Sequence, residues 1–179
     1  MMKNIVLTGF MGTGKTSTGK RLATRLGYRF VDTDILIEKK YQKRISDIFA
    51  ECGEDYFRDL ETEMIKEVSA KGQQVIATGG GVVKRAENIA ELRKNGIMIC
   101  LTADVERILE RTATRGERPV LDKEDQGNRR KAIENLLDER KLLYAQADFN
   151  VDTGDISPIE VAEEIIGILK REGIINAKG

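Results

Sequence analysis

Residues 9–16 read GFMGTGKT, and this stretch sets the architecture that we expect for the whole chain. It is a full match to the pattern G-x-x-x-x-G-K-[ST], which forms a loop whose backbone N–H groups surround a phosphate. An apolar run at 5–7 precedes it, and a helical pattern at 17–26 follows it. Strand, loop and helix in this order are the context that a phosphate-binding loop (P-loop) requires, so we favour nucleotide binding over a glycine-rich turn with an incidental lysine.

The loop also predicts how a nucleotide would be bound. Its glycines let N–H groups converge on phosphate oxygens, and the positive end of the following helix favours the same charge. Lys15 is placed to bridge the β- and γ-phosphates, and the Thr16 hydroxyl is placed to join Mg²⁺. The residues predicted here to bind the nucleotide are Gly12, Thr13, Gly14, Lys15, Thr16 and Ser17.

Short apolar runs alternate with helical patterns along the rest of the chain. Such alternation is typical of an α/β three-layer sandwich around a parallel sheet. A serine, a proline and a glutamate at 157, 158 and 160 predict the start of a last helix with a capping box. The predicted strands lie at 5–7, 30–31, 75–77, 97–101 and 149–151, and the other predicted helices at 17–26, 54–70, 104–112 and 128–147.

Composition excludes several classes of protein. The chain has 179 residues with 30 basic and 30 acidic side chains, so we expect one domain without the basic footprint of a nucleic-acid-binding protein. No apolar run approaches the roughly 20 residues of a membrane span. The two cysteines are far apart, which favours a reducing, cytoplasmic location without a disulfide framework. Histidine is absent, so no histidine serves as base or metal ligand.

Residues 30–34 read FVDTD and place two carboxylates at the end of the second predicted strand. In an extended chain Asp32 and Asp34 would point the same way. A solvated turn would explain them, because aspartate is common in turns. A P-loop site, however, needs an acid near its metal, and the third strand (QVIATGGG, 74–81) ends without one. Asp32 is therefore predicted to support the metal.

Three classes of function remain open on these residues alone: a phosphotransferase, a nucleotide-driven switch or machine, and a nucleotide-sensing module. No guanine-reading N-K-x-D sequence occurs, which argues against a switch GTPase. The third strand lacks the terminal acid that an ATPase machine usually carries. Sensing modules are commonly fused to a DNA-binding domain, and we expect no room for one because the P-loop begins at residue 9.

Residues 113–129 interrupt the alternation of strands and helices. The segment is charged, contains two glycines and a proline, and is too long for an ordinary connection. It is either a surface loop or a lid that closes over a ligand.

Six motifs, in their order and spacing, resemble the shikimate kinases, within the nucleoside-monophosphate-kinase-like group of P-loop proteins. The resemblance covers nearly the whole chain. The motifs are GFMGTGKT at 9–16, DTD at 32–34, FRDLE at 57–61, TGGG at 78–81, RP at 118–119 and R-x-x-x-Y at 140–144. The resemblance implies the P-loop kinase fold, with a five-stranded parallel sheet in the order 2-3-1-4-5. It implies ATP-dependent phosphorylation of the shikimate 3-hydroxyl, giving shikimate 3-phosphate and ADP, in chorismate and aromatic amino-acid biosynthesis.

The resemblance also implies a role for individual residues. Asp34 would hold the accepting hydroxyl, and Asp32 would support Mg²⁺ through water. Arg118 would reach the phosphates from a lid at about 113–127, and Arg111 would lie by the adenine. The implied catalytic residues are Lys15, Asp34 and Arg118. The implied substrate-binding residues are Asp34, Arg58, Gly79, Gly80, Gly81 and Arg140. A helical segment at about 33–61 would help bind the substrate, in a monomer with a single kinase domain at 1–179.

The two implied substrate arginines also have simpler explanations. Arg58 could pair with Glu61, three residues further along the same helix. Arg140 falls on an apolar stripe with Ile133 and Leu136, where a charge needs either an internal partner or a ligand. A kinase for another small molecule, such as gluconate, remains an alternative on these residues.

Overall fold

The computed structural model describes residues 3–113 and 126–176, which form a five-stranded parallel sheet in the order β2-β3-β1-β4-β5. Both the expected strand order and the five expected strands are confirmed. Each strand is longer than its apolar run by one or two residues at an end. The strands are β1 (Asn4–Gly9), β2 (Arg29–Asp32), β3 (Gln74–Ala77), β4 (Gly96–Thr102) and β5 (Phe149–Asp152).

Helices cover both faces of the sheet, which makes the three layers. The helices are α1 (Lys15–Leu26), α2 (Thr33–Tyr41), α3 (Ile45–Ser69), α4 (Ala86–Lys94), α5 (Val105–Ala113), α6 (Gln126–Tyr144) and α7 (Pro158–Arg171), with a 3-10 turn at Val82–Lys84. Along β1, Ile5 and Leu7 point into one buried cluster with α1 and α7, while Val6 points into the other, with α3 and α4. Within the described ranges, no helix is long and apolar enough to span a bilayer.

The start of α7 confirms the predicted capping box. The Ser157 hydroxyl accepts from the backbone N–H of Glu160 at 3.3 Å, and a Glu160 carboxylate oxygen accepts from the backbone N–H of Ser157 at 2.8 Å. Pro158 is the first helical residue, where its missing N–H costs no hydrogen bond.

The extended conformation expected for residues 32–34 is wrong. Asp32 ends β2, but Asp34 already lies in the first turn of α2. The cause is a helix cap: Oδ1 of Asp32 accepts from the backbone N–H groups of Asp34 at 3.1 Å and Ile35 at 3.3 Å. Aspartate is among the best N-cap residues, so the chain turns into a helix directly after the strand. The two carboxylates therefore leave the backbone in different directions.

The helix α3 begins earlier than its apolar stripe predicts. It consists of two helical pieces joined at Gly53, whose φ of 84° and ψ of 173° are not helical. Glycine adopts this backbone conformation readily, whereas other residues are strained there. The second piece matches the helix predicted at 54–70 and carries Arg58 and Glu61, both of which are buried.

Candidate active site

A cleft lies where the carboxyl ends of β1, β2 and β3 meet. In parallel sheets these ends face one edge, and the loops that follow them build the ligand site. The cleft therefore collects the P-loop, the two aspartates after β2 and the glycines after β3. Its lining residues are Met11, Gly12, Gly14, Lys15, Thr16, Asp32, Asp34, Thr78, Gly79 and Gly80.

The P-loop joins β1 to α1 as the sequence predicts, and all six predicted nucleotide residues lie in the loop or the first turn of α1. Gly14 caps the helix with a left-handed φ of 91°. The Thr13 hydroxyl donates to the Phe10 carbonyl at 2.7 Å, which holds the loop in its curve. The Lys15 amine donates to the carbonyls of Gly9 at 2.8 Å and Phe10 at 2.9 Å. The loop thus presents its amine and the positive end of α1 to the cleft.

The Thr16 hydroxyl donates to Oδ2 of Asp32 at 2.8 Å. The two predicted metal-binding side chains therefore meet at the P-loop. A hydroxyl and a carboxylate are oxygen donors of the kind that Mg²⁺ takes, and Mg²⁺ commonly uses few protein ligands beside phosphates and water. Among the described residues no cluster of three or more acidic, histidine or cysteine side chains could cage a metal ion. The donor set fits Mg²⁺ held jointly with a nucleotide.

Asp34 lies on the opposite wall of the cleft and approaches the end of β3 closely. Its Oδ1 is buried and has no hydrogen-bond partner in the described part of the chain, and the same holds for Oε1 of Glu61. A Cβ atom at Gly79 would lie 2.8 Å from each of these oxygens. Only a glycine leaves room for two carboxylates at this point.

This environment raises the pKa of Asp34 to about 7. Burial contributes most, because it disfavours the charged carboxylate. The neighbouring charges of Glu61 and Asp32 raise the pKa further, while Lys15 and Arg58 lower it. A carboxyl group that titrates near neutral pH can accept a proton from a nearby hydroxyl during a reaction.

Arg58 is held by two carboxylates on its own helix. Its Nη1 donates to Oε2 of Glu61 at 2.8 Å, and its Nε and Nη2 donate to Oε1 of Glu54 at 3.2 and 3.1 Å. The pairing of Arg58 with Glu61 is thus confirmed. Of the five N–H donors of the guanidinium, these bonds use three, and two remain for a ligand. The carboxylates fix the orientation of those two.

Arg140 lies on α6 and is only 4% exposed. Its Nη1 donates to the Gly80 carbonyl at 3.2 Å, and its guanidinium carbon is 5.6 Å from the centre of the Phe10 ring. Within residues 3–113 and 126–176 no carboxylate lies in ion-pair distance of Arg140, and its Nε has no partner. An internal ion pair therefore does not explain this buried charge. A buried cation beside a cleft is suited to an anionic ligand.

Arg111 joins the P-loop to the segment after β5. It donates to the Gly12 carbonyl at 3.3 Å, to the hydroxyl of Thr153 at 3.1 Å, and to the carbonyls of Thr153 and Gly154 at 2.5 and 3.1 Å. The implied contact of Arg111 with adenine stays a prediction. Arg118 and residues 114–125 of the predicted lid lie outside the described residues.

Two residues of the site were not assigned a role from the sequence. Glu61 occurs on the apolar stripe of α3, four residues after Phe57 and four before Ile65, and this position could have indicated a buried carboxylate. Tyr144 was quoted within a motif only; its hydroxyl donates to the Gly80 carbonyl at 2.7 Å.

Comparisons with known proteins agree with this geometry. A family model described as shikimate kinase matches residues 11–170. A shikimate kinase of Thermodesulfovibrio yellowstonii is 53% identical over 92% of this chain and 94% of its own length. One from Caldanaerobacter subterraneus subsp. tengcongensis is 49% identical over 92% and 95%. The solved structure of shikimate kinase from Acinetobacter baumannii in complex with shikimate superposes with a TM-score of 0.91 at 35% identity, covering 96% of this chain and 95% of that one.

Proposed function

This chain belongs to the shikimate kinase family, and from that premise we propose how its cleft carries out the family's reaction. The reaction is ATP-dependent phosphorylation of shikimate at its 3-hydroxyl, which gives shikimate 3-phosphate and ADP in aromatic amino-acid biosynthesis. One observation supports the residue roles most strongly: the cleft places Asp34 between a P-loop and two buried arginines, one of which has no carboxylate partner among the described residues.

The P-loop is the ATP side of the cleft. Its backbone N–H groups and the positive end of α1 bind the phosphates, and Lys15 spans the β- and γ-phosphates. Thr16 binds Mg²⁺ through its hydroxyl, and Asp32 does so through water; the 2.8 Å hydrogen bond between them supports this pairing. When bound, the metal ion neutralises charge on the phosphates. Arg111 and Arg118 complete the nucleotide site from α5 and from the lid.

The opposite side of the cleft binds shikimate, a small carboxylate with several hydroxyl groups. Arg58 and Arg140 bind the carboxylate, since guanidinium groups suit planar anions. Arg58 is held by Glu54 and Glu61, so its two remaining N–H groups already point in a set direction before the substrate arrives. The backbone of Gly79, Gly80 and Gly81 closes this side of the site without side chains in the way.

Asp34 holds the accepting hydroxyl and takes up its proton. The pKa of about 7 makes Asp34 a suitable proton acceptor near neutral pH. Phosphoryl transfer needs little covalent help from a protein, because positioning and charge neutralisation supply most of the rate acceleration. Lys15 and Arg118 provide positive charge at the transferred group, which is compatible with the absence of histidine.

We assign the chain to one kinase domain, 1–179, with a substrate-binding segment at about 33–61 and a lid at about 113–127. Every described residue of the site comes from the same chain, which supports a functional monomer. Cys52 and Cys100 are unpaired, as expected in the reducing cytoplasm, where we place the enzyme.

The test is a coupled assay of ADP release with shikimate as the acceptor. We expect ADP release that depends on both ATP and shikimate, and much slower release with gluconate. Folded protein that binds ATP but shows no shikimate-dependent ADP release would refute the proposed function. Faster turnover with gluconate would establish the other small-molecule kinase instead.

A further inference from the structure

The backbone carbonyl of Gly80 accepts two hydrogen bonds from α6. The Tyr144 hydroxyl donates at 2.7 Å and Nη1 of Arg140 donates at 3.2 Å. The two donors are four residues apart, so they lie on the same face of the helix. Gly80 lines the cleft, and a Cβ atom there would lie 3.5 Å from the Gly9 carbonyl oxygen and 3.5 Å from the backbone nitrogen of Met11. This carbonyl therefore joins α6 to the P-loop side of the cleft.

We propose that Tyr144 is a positioning residue for the acceptor substrate: its hydroxyl satisfies the Gly80 carbonyl and so leaves the Arg140 guanidinium to the substrate carboxylate. The proposal rests on the substrate-binding role of Arg140 given above.

The first argument is the competition for donors. A carbonyl oxygen accepts up to two hydrogen bonds, and the bond from Tyr144 is the shorter of the two here. If the hydroxyl is removed, the buried Gly80 carbonyl can be satisfied only by drawing the guanidinium of Arg140 closer. Leaving the carbonyl unsatisfied costs free energy, so the guanidinium shifts toward it and away from the ligand. Nε of Arg140, which has no partner in the described residues, moves with the rest of the group.

The second argument is the orientation of the peptide that joins Gly80 to Gly81. In a trans peptide the carbonyl and the following N–H point in opposite directions. Holding the Gly80 carbonyl toward α6 therefore fixes the direction of the Gly81 N–H. Gly81 is packed against Arg58: a Cβ atom at Gly81 would lie 2.5 Å from Nη2 and 2.6 Å from Cζ of that side chain. A rotation of this peptide would disturb both substrate arginines.

The surroundings of Tyr144 keep its hydroxyl a donor. The side chain is buried, and burial raises its pKa to about 12. The hydroxyl therefore stays protonated at neutral pH, and its role is to donate a hydrogen bond rather than to transfer a proton.

The experiment compares Tyr144→Phe with Tyr41→Phe in the full chain. Both changes remove one tyrosine hydroxyl and keep the ring. The Tyr41 hydroxyl bonds to Glu63 at 3.0 Å on the exposed surface, so this variant is the matched control. The readouts are KM for shikimate and for ATP, kcat, and calorimetric binding of shikimate without nucleotide.

For Tyr144→Phe we expect KM and Kd for shikimate to rise roughly five- to tenfold, the effect of one buried hydrogen bond. KM for ATP and kcat should stay within about twofold of the wild type, because the nucleotide side of the cleft is unchanged. The control variant should match the wild type in every readout.

A double-mutant cycle separates positioning from a general structural role. In an Arg140→Ala background, Tyr144→Phe should change shikimate binding by less than about twofold, because the group that it positions is gone. Full additivity of the two changes would overturn the proposal. So would an unchanged shikimate KM in the single variant, or an equal rise of both KM values, or loss of the fold in thermal unfolding, since each makes the hydroxyl inert or merely structural. A wild-type protein that fails to phosphorylate shikimate would instead refute the proposed function itself.

Discussion

Thr16 and Asp32 are joined by a hydrogen bond of 2.8 Å between the P-loop and the end of β2. The same Asp32 carboxylate caps α2 through its other oxygen. One side chain therefore connects the nucleotide loop to the helix that carries Asp34.

The two roles of Asp32 can be separated by substitution. Asp32→Asn keeps an oxygen that can cap α2 but loses the negative charge, so we expect an unfolding free energy within about 0.5 kcal/mol of the wild type. The Mg²⁺ concentration needed for half-maximal activity should rise about tenfold or more, since a charged group that supports the metal is lost. Asp32→Ala should show the same Mg²⁺ effect and also lose about 1 kcal/mol of stability. Titrations with Mg²⁺ and urea unfolding measure the two effects, and an unchanged Mg²⁺ requirement in both variants would contradict the metal role.

Asp34→Asn should separate turnover from nucleotide binding. The amide cannot accept the proton of the substrate hydroxyl, so kcat should fall by about 10²- to 10⁴-fold. The Kd for ATP, measured by calorimetry, should stay within about threefold of the wild type, because Asp34 lies across the cleft from the P-loop. An equal loss of ATP affinity would show that Asp34 belongs to the nucleotide side of the cleft.

The raised pKa of Asp34 also predicts how stability depends on pH. The unfolded carboxyl loses its proton near its model value of 3.8, whereas the folded one keeps it until about 7. Between these values the folded state binds more protons, so the contribution of Asp34 to stability falls as pH rises and is constant above about 7. An asparagine at this position mimics the protonated carboxyl at every pH.

We therefore expect Asp34→Asn to be more stable than the wild type at about pH 8, by an amount on the order of 1 kcal/mol, and nearly equal to it at about pH 4. Urea unfolding of both proteins without nucleotide and with a metal chelator is the measurement. A stability difference that does not grow between these two pH values would show that the carboxyl titrates normally.

Arg140 should contribute to substrate binding at the expense of stability. A buried charge without a carboxylate partner destabilises the fold, so Arg140→Met should unfold at the same temperature as the wild type or higher. The shikimate KM should rise by about 10²-fold, because a charge-assisted contact is lost. The matched control is Arg25→Met, since Arg25 makes an exposed pair with Glu163 at 3.0 Å and should change neither property. A marked drop in the unfolding temperature of Arg140→Met, with shikimate KM unchanged, would make Arg140 a structural residue.

Local signals predicted most of the fold. The five strands follow from apolar runs, and the capping box at Ser157 and Glu160 identified the start of α7, because these features depend only on neighbours in sequence. The turn into α2 was missed, although the capping preference of aspartate at Asp32 was readable. Strand alternation was assumed there, and the cap overrode it.

The site was predictable where one element carries both partners, as with Arg58 and Glu61. Contacts between elements were not. The bond from Tyr144 to Gly80 spans 64 residues and depends on the placement of α6 against the end of β3. The lack of a carboxylate near Arg140 in the described ranges is likewise a property of packing, and only the structure distinguishes it from an internal ion pair.

The hydrogen bonds of Lys15 have a consequence for selectivity. Its amine already donates to two carbonyls of the loop, so a phosphate that enters must take the place of those acceptors. Ligand binding at this amine is an exchange, and its net gain per contact is small. A lone inorganic phosphate offers too few contacts to compensate, whereas a triphosphate chain adds several along the loop. We therefore expect the empty loop to discriminate against the free phosphate of the cell and to admit its nucleotide.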